Sequence, residues 1–344
     1  MIRQSDYENY DYRQFWQDDK RLYEDSAERL VIKKFISSIK NKDAKFIDLG
    51  CGFGRLFSEY SGFSTVIMVD YSVNNLKNAK ELISRYVKND SELINKVVFI
   101  AADVTNLPLK PGIIDYAMTV RVIHHIDKPD RYFAEVARIL KSGGTFMLEF
   151  ANKRNTKNIL KFFVGKTRIS PFSKEPLQVG ATILDYHPKF IKSLLKNAGF
   201  EVKKMVSASN FRVGFLKRHV SLKILLFFES IYQNIFSFIS TGPSIFLKAV
   251  ISLSNKSVQS ASVKSGKPQD DGIDTNYQLK NSNDKKDSNI INASRAITAI
   301  NPADLFICPS CKSEGLEMSG TDSIKCTRCS RQYPVVGGIF NFKD

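Results

Sequence analysis

Short apolar runs alternate with helical stretches between residue 44 and about residue 150. The runs are rich in Val, Ile and Phe, as buried strands are: KFIDL at 45–49, STVIMVD at 64–70, KVVFIAAD at 96–103, GIIDYAMTV at 112–120 and GTFMLEF at 144–150. Helical periodicity separates them around 73–88 and 129–140. The alternation predicts an α/β fold, with a mostly parallel, doubly wound sheet covered by helices on both faces.

The flanking segments extend this pattern. Residues 1–43 predict a helical lead-in, with Asp25 and Glu28 spaced as a capping box. Beyond 150 we expect a helix from about Pro188 to Ala198 and strands at 200–206 and 244–251, which makes seven strands. Between these elements lie two insertions, 151–185 and 207–243. The second has an apolar helical stripe, which fits either ordinary core or a lipid-facing surface: Leu222, Leu225, Phe228, Ile231, Ile235 and Phe238.

These elements divide the chain into a domain over 44–252 and a smaller C-terminal one. Residues 253–301 are mostly Ser, Asn, Lys, Asp and Gln and bury too little apolar surface to offset ordering entropy, so we expect a disordered linker. Residues 302–344 contain paired cysteines and form the second domain. We expect a cytoplasmic protein, because the N-terminal residues lack a signal-peptide layout and the cysteine pattern suits a reducing compartment.

Composition adds one strong bias. Apolar residues at 43% and charged residues at 25% exclude a collagen-like, wholly disordered or polytopic membrane chain. The formal charge of +16 favours anionic partners. Residues 151–170 contain six Lys or Arg and no acid, and residues 203–250 contain seven against Glu229 alone. We expect both segments to rise over one sheet edge as a basic, partly apolar cap, although such a run also fits a solvated face.

A glycine-rich loop carries the clearest chemistry. In KFIDLGCGFGR the first predicted strand leads into Gly50, Gly52 and Gly54, where the backbone can approach a ligand closely. A dinucleotide-binding G-x-G-x-x-G loop would have its third glycine at position 55, where this chain has Arg55. The pattern is instead G-x-G-x-G, which argues against NAD as the cofactor. Asp70 ends the second strand, where a carboxylate can accept both ribose hydroxyls. Asp103 ends the third.

The segments DLGCGFGR, VDYS, AADVTNLP, GIIDYAMTVRVIHHI and RILKSGG resemble, in order and spacing, class I S-adenosylmethionine-dependent methyltransferases of the type 11 group. The resemblance covers about 45–150 and implies a Rossmann-like methyltransferase fold. It implies that Asp48 and the loop, with Cys51, hold the methionine end of S-adenosylmethionine. Asp70 would bind the ribose, Asp103 with Val104 would hold the adenine, and Tyr71 is a further cofactor-binding candidate. Thr119, Val120 and Arg121 would line the part of the site that holds the sulfonium and the acceptor.

The catalytic candidates follow the fourth strand, at the carboxyl edge where such sheets bind ligands. They are His125, favoured by the resemblance, His124 and Arg121. Methyl transfer needs a general base for a hydroxyl or a carbon acid and much less for a free amine. His187 is a further candidate, and Trp16, Arg21 and Tyr23 are candidates for a lid.

Four cysteines form two C-x-x-C knuckles separated by fourteen residues, one fewer than the commonest range: Cys308, Cys311, Cys326 and Cys329. Four thiolates suit a structural Zn²⁺ ion. The block from residue 308 to residue 342 resembles the zinc-ribbon activator subunits of RNA and protein methyltransferases. The implied role is docking on its own or another methyltransferase domain.

Three functions remain open from the sequence. The first, slightly favoured, is methyl transfer to a small or lipid-like molecule with an anionic part, with contact to a membrane surface. The second is RNA methylation, with the ribbon docking substrate or partner. The third is a non-catalytic scaffold that binds the cofactor.

Overall fold

The computed structural model describes residues 12–16, 21–86, 91–180, 183–236, 239–252 and 301–343. The predicted linker therefore lies outside the described residues except at its last position. The strands within these ranges are β1 Lys45–Leu49, β2 Thr65–Asp70, β3 Val97–Ala101, β4 Ile114–Thr119, β5 Leu140–Ala151, β6 Leu177–Val179, β7 Ile183–Asp185, β8 Phe200–Ala208, β9 Ser244–Ile251, β10 Leu316–Met318, β11 Ser323–Cys326, β12 Gln332–Val336 and β13 Ile339–Asn341.

The helices are α1 Leu22–Ser37, α2 Phe57–Tyr60, α3 Val73–Tyr86, α4 Ser91–Asn95, α5 Pro129–Ile139, α6 Thr156–Phe163, α7 Pro188–Asn197, α8 Gly214–His219, α9 Leu222–Ile231 and α10 Pro302–Leu305. Two 3₁₀ turns span Tyr12–Trp16 and Ile123–His125, and a π-helical turn spans Tyr232–Phe236. None of the helices in the described ranges is both long and apolar enough to cross a bilayer.

The central sheet has the strand order β3-β2-β1-β4-β5-β9-β8, with β9 antiparallel to both its neighbours and the other pairs parallel. Alternate residues of each strand enter two cores, one on each face: Ile47 and Ile67 pack on one side, Phe46 and Met68 on the other. This two-sided burial is why the central strands are continuous apolar runs. The predicted α/β fold and its seven strands are confirmed.

The C-terminal domain extends this sheet. Strands β10 to β13 form an antiparallel meander, and β13 pairs in parallel with β3, so that the sheet has eleven strands. Leu305, Phe306 and Phe342 are buried in the same core as the central strands. The sequence predicted the ribbon as a small domain but not this strand pairing, which completes the open edge that β3 would otherwise present.

Both insertions rise from the carboxyl edge of the sheet. Ser244, the first residue of β9, lies opposite both Ala151 at the end of β5 and Ala208 at the end of β8. The sequence expectation that the two segments share one edge is confirmed. The first insertion contains α6 and the β6–β7 hairpin, which its weak periodicity did not predict. The second contains α8, α9 and the π-helical turn; Phe238 of its predicted stripe lies outside the described residues.

The start of α1 differs from the prediction. The helix begins at Leu22, and its N-cap residue Arg21 makes no side-chain cap. Asp25 and Glu28 therefore lie within the helix rather than in a capping box. Their carboxylates form ion pairs with arginines of the glycine loop and of the segment after β4.

Candidate functional site

A cavity of about 440 Å³ lies at the carboxyl edge of β1 to β4. The glycine loop, the residues after β2 and β3, and the segment 120–131 form its wall. Ligands bind at this position in open α/β sheets, because the strand order reverses between β1 and β4 and opens a crevice. The site therefore lies where the topology leaves space, and the side chains around it decide what it can hold.

The glycine loop brings its backbone onto this cavity. Gly50 has a φ of +80° and donates its N–H to the Val69 carbonyl at 2.7 Å. A Cβ atom built at Gly50 would lie 2.2 Å from Val122 Cγ2, so only glycine fits here. Gly52 and Cys51 also line the cavity, and Cys51 is buried.

The Asp70 carboxylate is held in place by three hydrogen bonds. Its oxygens accept hydrogen bonds from the N–H of Gly52 at 2.8 Å, the N–H of Ser72 at 2.9 Å and the Asn75 side-chain amide at 3.2 Å. The side chain lines the cavity although the residue is only 8% exposed. Such bonds fix the carboxylate plane before any ligand arrives.

Asp48 lies deeper in the wall of the same cavity. The Tyr60 hydroxyl donates a hydrogen bond of 2.6 Å to its Oδ2 atom. Burial nevertheless raises the pKa of the Asp48 carboxyl to about 7, since desolvation disfavours the charged form more than Tyr60 and Arg55 favour it. A nearby cation would therefore shift this carboxyl towards its ionised form.

Asp103, Val104 and Tyr71 line the rim of the cavity. The Asp103 Oδ1 atom accepts bonds from both the N–H and the hydroxyl of Thr105, each at 2.8 Å. Tyr71 is half exposed, and the Lys343 ammonium of the C-terminal domain lies 4.9 Å from its ring centroid. The C-terminal domain thus reaches the edge of the cavity.

Three residues of the predicted site do not line the cavity. Gly54 turns the chain onto α3, where a Cβ atom would lie 3.2 Å from the Ala79 Cβ atom. Thr119 is fully buried and its hydroxyl is bonded to the Tyr132 hydroxyl. His124 packs 4.1 Å from the His125 ring, outside the cavity; burial, with the charges of His125 and Arg121, holds its pKa well below the ordinary value. His187 is a helix cap, accepting the Lys189 N–H at 3.1 Å.

His125 and Arg121 do line the cavity. Arg121 has a φ of +62°, unusual for a residue with a side chain, and its N–H donates to Glu149 at 2.8 Å. Its guanidinium pairs with Glu28 and lies 5.0 Å from the Trp16 ring. Although burial opposes it, the carboxylates of Glu28 and Glu149 raise the pKa of Arg121.

Sequence reasoning missed the cluster that supports this wall. The Arg55 guanidinium lines the cavity, lies 3.7 Å from the Trp16 ring centroid and binds Glu28 at 2.9 Å. Glu28 thereby joins Arg55 and Arg121. None of the three lid candidates lines the cavity: Trp16 stacks on Arg55, Tyr23 is buried against Glu229, and the Arg21 guanidinium lies 3.6 Å over the Phe15 ring. Tyr12 of the same lead-in segment does line it. The only sequence signal for this cluster was the spacing of Asp25 and Glu28, and that spacing is equally typical of a capping box.

The four ribbon cysteines converge at a second site. All four Sγ atoms lie within 4.8 Å of one another, with Cys308 to Cys329 at 3.7 Å and Cys311 to Cys326 at 3.5 Å. A tetrahedral Zn–S bond of about 2.3 Å corresponds to sulfur separations of roughly 3.8 Å. The cluster is therefore the right size for one tetrahedral metal ion.

Residues 47–148 match a family model described as a methyltransferase domain. An uncharacterized chloroplastic methyltransferase of Arabidopsis thaliana is 35% identical over 106 residues, 29% of each chain. A ubiquinone biosynthesis O-methyltransferase of Thiobacillus denitrificans is 28% identical over 163 residues, 47% of this chain and 66% of that protein. A magnesium protoporphyrin IX methyltransferase of Synechocystis, solved with bound S-adenosylhomocysteine, superposes with a TM-score of 0.47 at 16% identity, over 70% of this chain and 92% of that one.

The chain spans 29% of the length of the first two curated relatives it matches. The matched residues include the glycine loop and the acids that end β2 and β3, which are the residues that form the cavity wall. Residues 47–148 of the chain, which include the glycine loop, therefore form a methyltransferase domain.

Proposed function

We propose that this protein transfers a methyl group from S-adenosylmethionine to a small or lipid-like acceptor with an anionic part. The observation that carries the proposal is the convergence of the glycine-loop backbone with Asp48, Asp70 and Asp103 on one cavity within the matched domain. These groups suit the parts of the cofactor. A fixed carboxylate such as Asp70 suits the ribose hydroxyls, and Asp48 suits the methionine ammonium. Asp103 and Val104 suit the adenine.

The bound cofactor would supply a methyl carbon that its sulfonium has already activated. The protein then has to align the acceptor and exclude water. Arg121 lines the cavity with its guanidinium held by Glu28. It would orient an anionic group of the acceptor. His125 would accept the proton if the acceptor atom is a hydroxyl oxygen.

The acceptor class rests on a groove between the two insertions. This groove of about 1110 Å³ combines basic side chains, among them Lys157, Lys161 and Arg212, with apolar ones such as Leu160 and Phe211. An amphiphile with a negative head matches both kinds of wall. Phosphates of RNA match only the basic part.

We also infer a structural Zn²⁺ ion on the four ribbon cysteines and a cytoplasmic location. Four protein thiolates leave no open coordination position, which suits a stabilising rather than a catalytic metal. The cysteine pattern supports a reducing compartment.

Calorimetric titration of the full chain with S-adenosylmethionine, with NAD as the control ligand, tests the cofactor assignment. We expect micromolar binding of the first alone, and at least a 100-fold weaker affinity for Asp70→Ala, because the variant loses its ribose acceptor. Asp43→Ala is the matched control, because this exposed residue lies just before the amino end of β1, at the edge of the sheet opposite the cavity. Equal affinity of both variants would contradict the assignment.

Turnover assays then separate the acceptor classes. Methylation of lipid or small-molecule fractions supports the proposal, and methylation of bulk RNA replaces it with the alternative acceptor. Cofactor binding without turnover on either fraction would favour the non-catalytic scaffold.

A further inference from the structure

The exposed large apolar side chains of the molecule are concentrated in the two insertions. Of nineteen such residues in the described ranges, fifteen lie within 151–185 and 207–243. Single exposed apolar residues are ordinary on a protein surface, whereas a concentration of this kind marks a surface that contacts something else. The other four, Leu22, Tyr71, Tyr86 and Val336, are scattered along the chain.

Helix α9 buries a carboxylate and exposes large apolar side chains. Its only acidic residue, Glu229, is fully buried and accepts bonds from the Tyr23 hydroxyl at 2.7 Å and the N–H groups of Ser209 and Asn210 at 2.9 and 3.0 Å. Its outward positions Ile224, Phe227 and Phe228 are each at least half exposed. A helix that faces only water has the opposite arrangement.

Helix α6 of the first insertion also exposes large apolar side chains. None of its residues is buried, and Phe163 is 72% exposed. The rings of Phe162, Phe163 and Phe172 lie within 6.2 Å of one another, so they form a small aromatic cluster outside the core. Both insertions line the groove described above: α6 does so from the first, and residues 209–213 and Tyr232, which flank α8 and α9 in the chain, do so from the second.

The two insertions are also strongly basic. Arg168, Lys174, Arg218 and Lys223 are exposed and lie outside the groove. Within the described residues of the insertions the acids are Glu175, Asp185 and the buried Glu229. We define the interfacial patch by its exposed aromatic and basic members, which are Phe163, Phe172, Phe215, Phe227, Phe228, Arg168, Lys174, Arg218 and Lys223.

We propose that the interfacial patch docks onto the surface of an anionic phospholipid bilayer. Helices with Phe and Leu on one face and Lys and Arg beside them lie in the headgroup region, with the apolar groups in the acyl boundary and the basic groups among the phosphates. Negative lipids attract each such basic group. In this position the side chains of Phe163, Phe215 and Phe227 are transferred from water to the acyl boundary, and the basic side chains pair with lipid phosphates.

Other occupants fit these observations less well. A second copy of the patch would bring like charges together. The ribbon joins the sheet beside β3, at the end opposite β8, and cannot cover it. Residues 253–300 carry seven basic and five acidic residues, so they offer no net negative charge. RNA would neutralise the lysines and arginines but would leave the exposed aliphatic residues such as Ile224 in water.

Vesicle sedimentation tests the proposal with the full chain. The probes are phosphatidylcholine vesicles with and without 30% phosphatidylserine, a composition chosen so that only the second carries negative charge, as roughly in a cytoplasmic leaflet. We expect binding to the anionic vesicles only. Arg168→Gln/Arg218→Gln/Lys223→Gln should weaken it roughly 100-fold at low salt, since each basic group near the surface contributes about fivefold.

A second variant tests the apolar contribution. Phe163→Ser/Phe215→Ser/Phe227→Ser keeps every charge and should weaken binding at least tenfold, because the inserted aromatic area is lost. The matched control, Lys40→Gln/Lys77→Gln/Lys325→Gln, removes three exposed charges outside the patch and should bind nearly as the wild type does. Cofactor titration and thermal unfolding of all variants verify folding, so the outcome is separate from that of the proposed function.

Three outcomes would overturn the proposal. The first is equal weakening by the patch and control charge variants, which indicates an effect of net charge alone. The second is an unchanged affinity of the Phe variant, with RNA competing for the same binding, which indicates a polyanion site. The third is that the wild-type protein does not bind anionic vesicles but forms a dimer, and that the Phe variant is monomeric. This result would indicate that the patch is a contact between copies of the chain.

Discussion

The two ends of the central sheet carry additions of opposite character. At the β3 end the ribbon pairs strand to strand and buries Phe306 and Phe342 in the common core. At the β8 end the insertions leave the carboxyl edge and keep most of their large apolar residues exposed. The first addition completes the domain, because it satisfies an open strand edge and adds to a core. The second gives the domain a surface whose apolar groups are not covered by any of the residues that the structure describes.

Between these ends lies the cofactor cavity, where buried polar groups are paired. Asp70, Asp48 and Arg121 each have hydrogen-bond partners in the protein. Burial of polar groups without partners would cost several kcal/mol each, so such a site has to be assembled before the ligand binds. A cavity of paired polar groups and a surface of exposed apolar groups thus occupy different regions of the same edge of the sheet.

The sharpest test of the ribbon end removes its metal ligands. Cys308→Ser/Cys311→Ser should abolish metal binding and unfold residues 301–343, because the apparent binding free energy of a structural zinc site is about 10–16 kcal/mol and so small a segment has little core of its own. Metal analysis should find one zinc per wild-type chain, and limited proteolysis should detect the loosened segment.

Thr321→Ala, an exposed change in the same domain, is the control and should keep both metal and protease resistance. A folded, metal-free cysteine variant would mean that packing against β3 alone holds the ribbon.

A second prediction compares one phenylalanine from each kind of environment. Phe133→Ala removes a fully buried ring of α5 and should lower the free energy of unfolding by about 3–5 kcal/mol. Phe163→Ala, at the insertion end, should change it by less than about 0.5 kcal/mol, because the ring is already in water. Urea unfolding measures both. A cost above about 2 kcal/mol at Phe163 would show that the insertion surface belongs to the core after all.

The smallest expected effect concerns pH at the cavity. The raised pKa of Asp48, about 7, means that much of this carboxyl is protonated near neutrality. A cationic ligand binds the ionised form, so binding releases a proton, and affinity should fall at most tenfold per pH unit below 7 and stay flat above about 8. Calorimetry in buffers of different ionisation enthalpy measures the proton release. Asp48→Asn should remove the slope; the same slope in both proteins would exclude Asp48 as its source.

Much of the fold was predictable because its signals are local. The runs from KFIDL to GTFMLEF form β1 to β5 close to the expected bounds, since strands buried on both faces need uninterrupted apolar residues. The glycine loop and the acids after β2 and β3 could be located for the same reason, because their role depends on their position at strand ends. The cysteine spacing likewise indicated one cluster.

Other features depend on residues far apart in the chain. No local pattern pairs Glu28 with Arg55 and Arg121, which lie 27 and 93 residues away. The apolar stripe on α9 does not predict which face of the helix is buried. In the structure Leu225 and Glu229 are buried, whereas Phe228 is half exposed. Gly54 and Thr119 belong to the expected motifs, but both are packed against other residues and neither lines the cavity.

The amino-acid sequence alone was enough to predict the order of the seven central strands, the loop that faces the cavity and the residues able to bind a metal. These depend on side-chain periodicity and on backbone freedom within a few residues. Only the tertiary structure decided that the ribbon completes the sheet at β3, that Arg121 is held by the lead-in helix, and that the insertions expose their aromatic residues. Burial and pairing are properties of what packs on what, and chain segments tens to hundreds of residues apart supply the two sides of each contact.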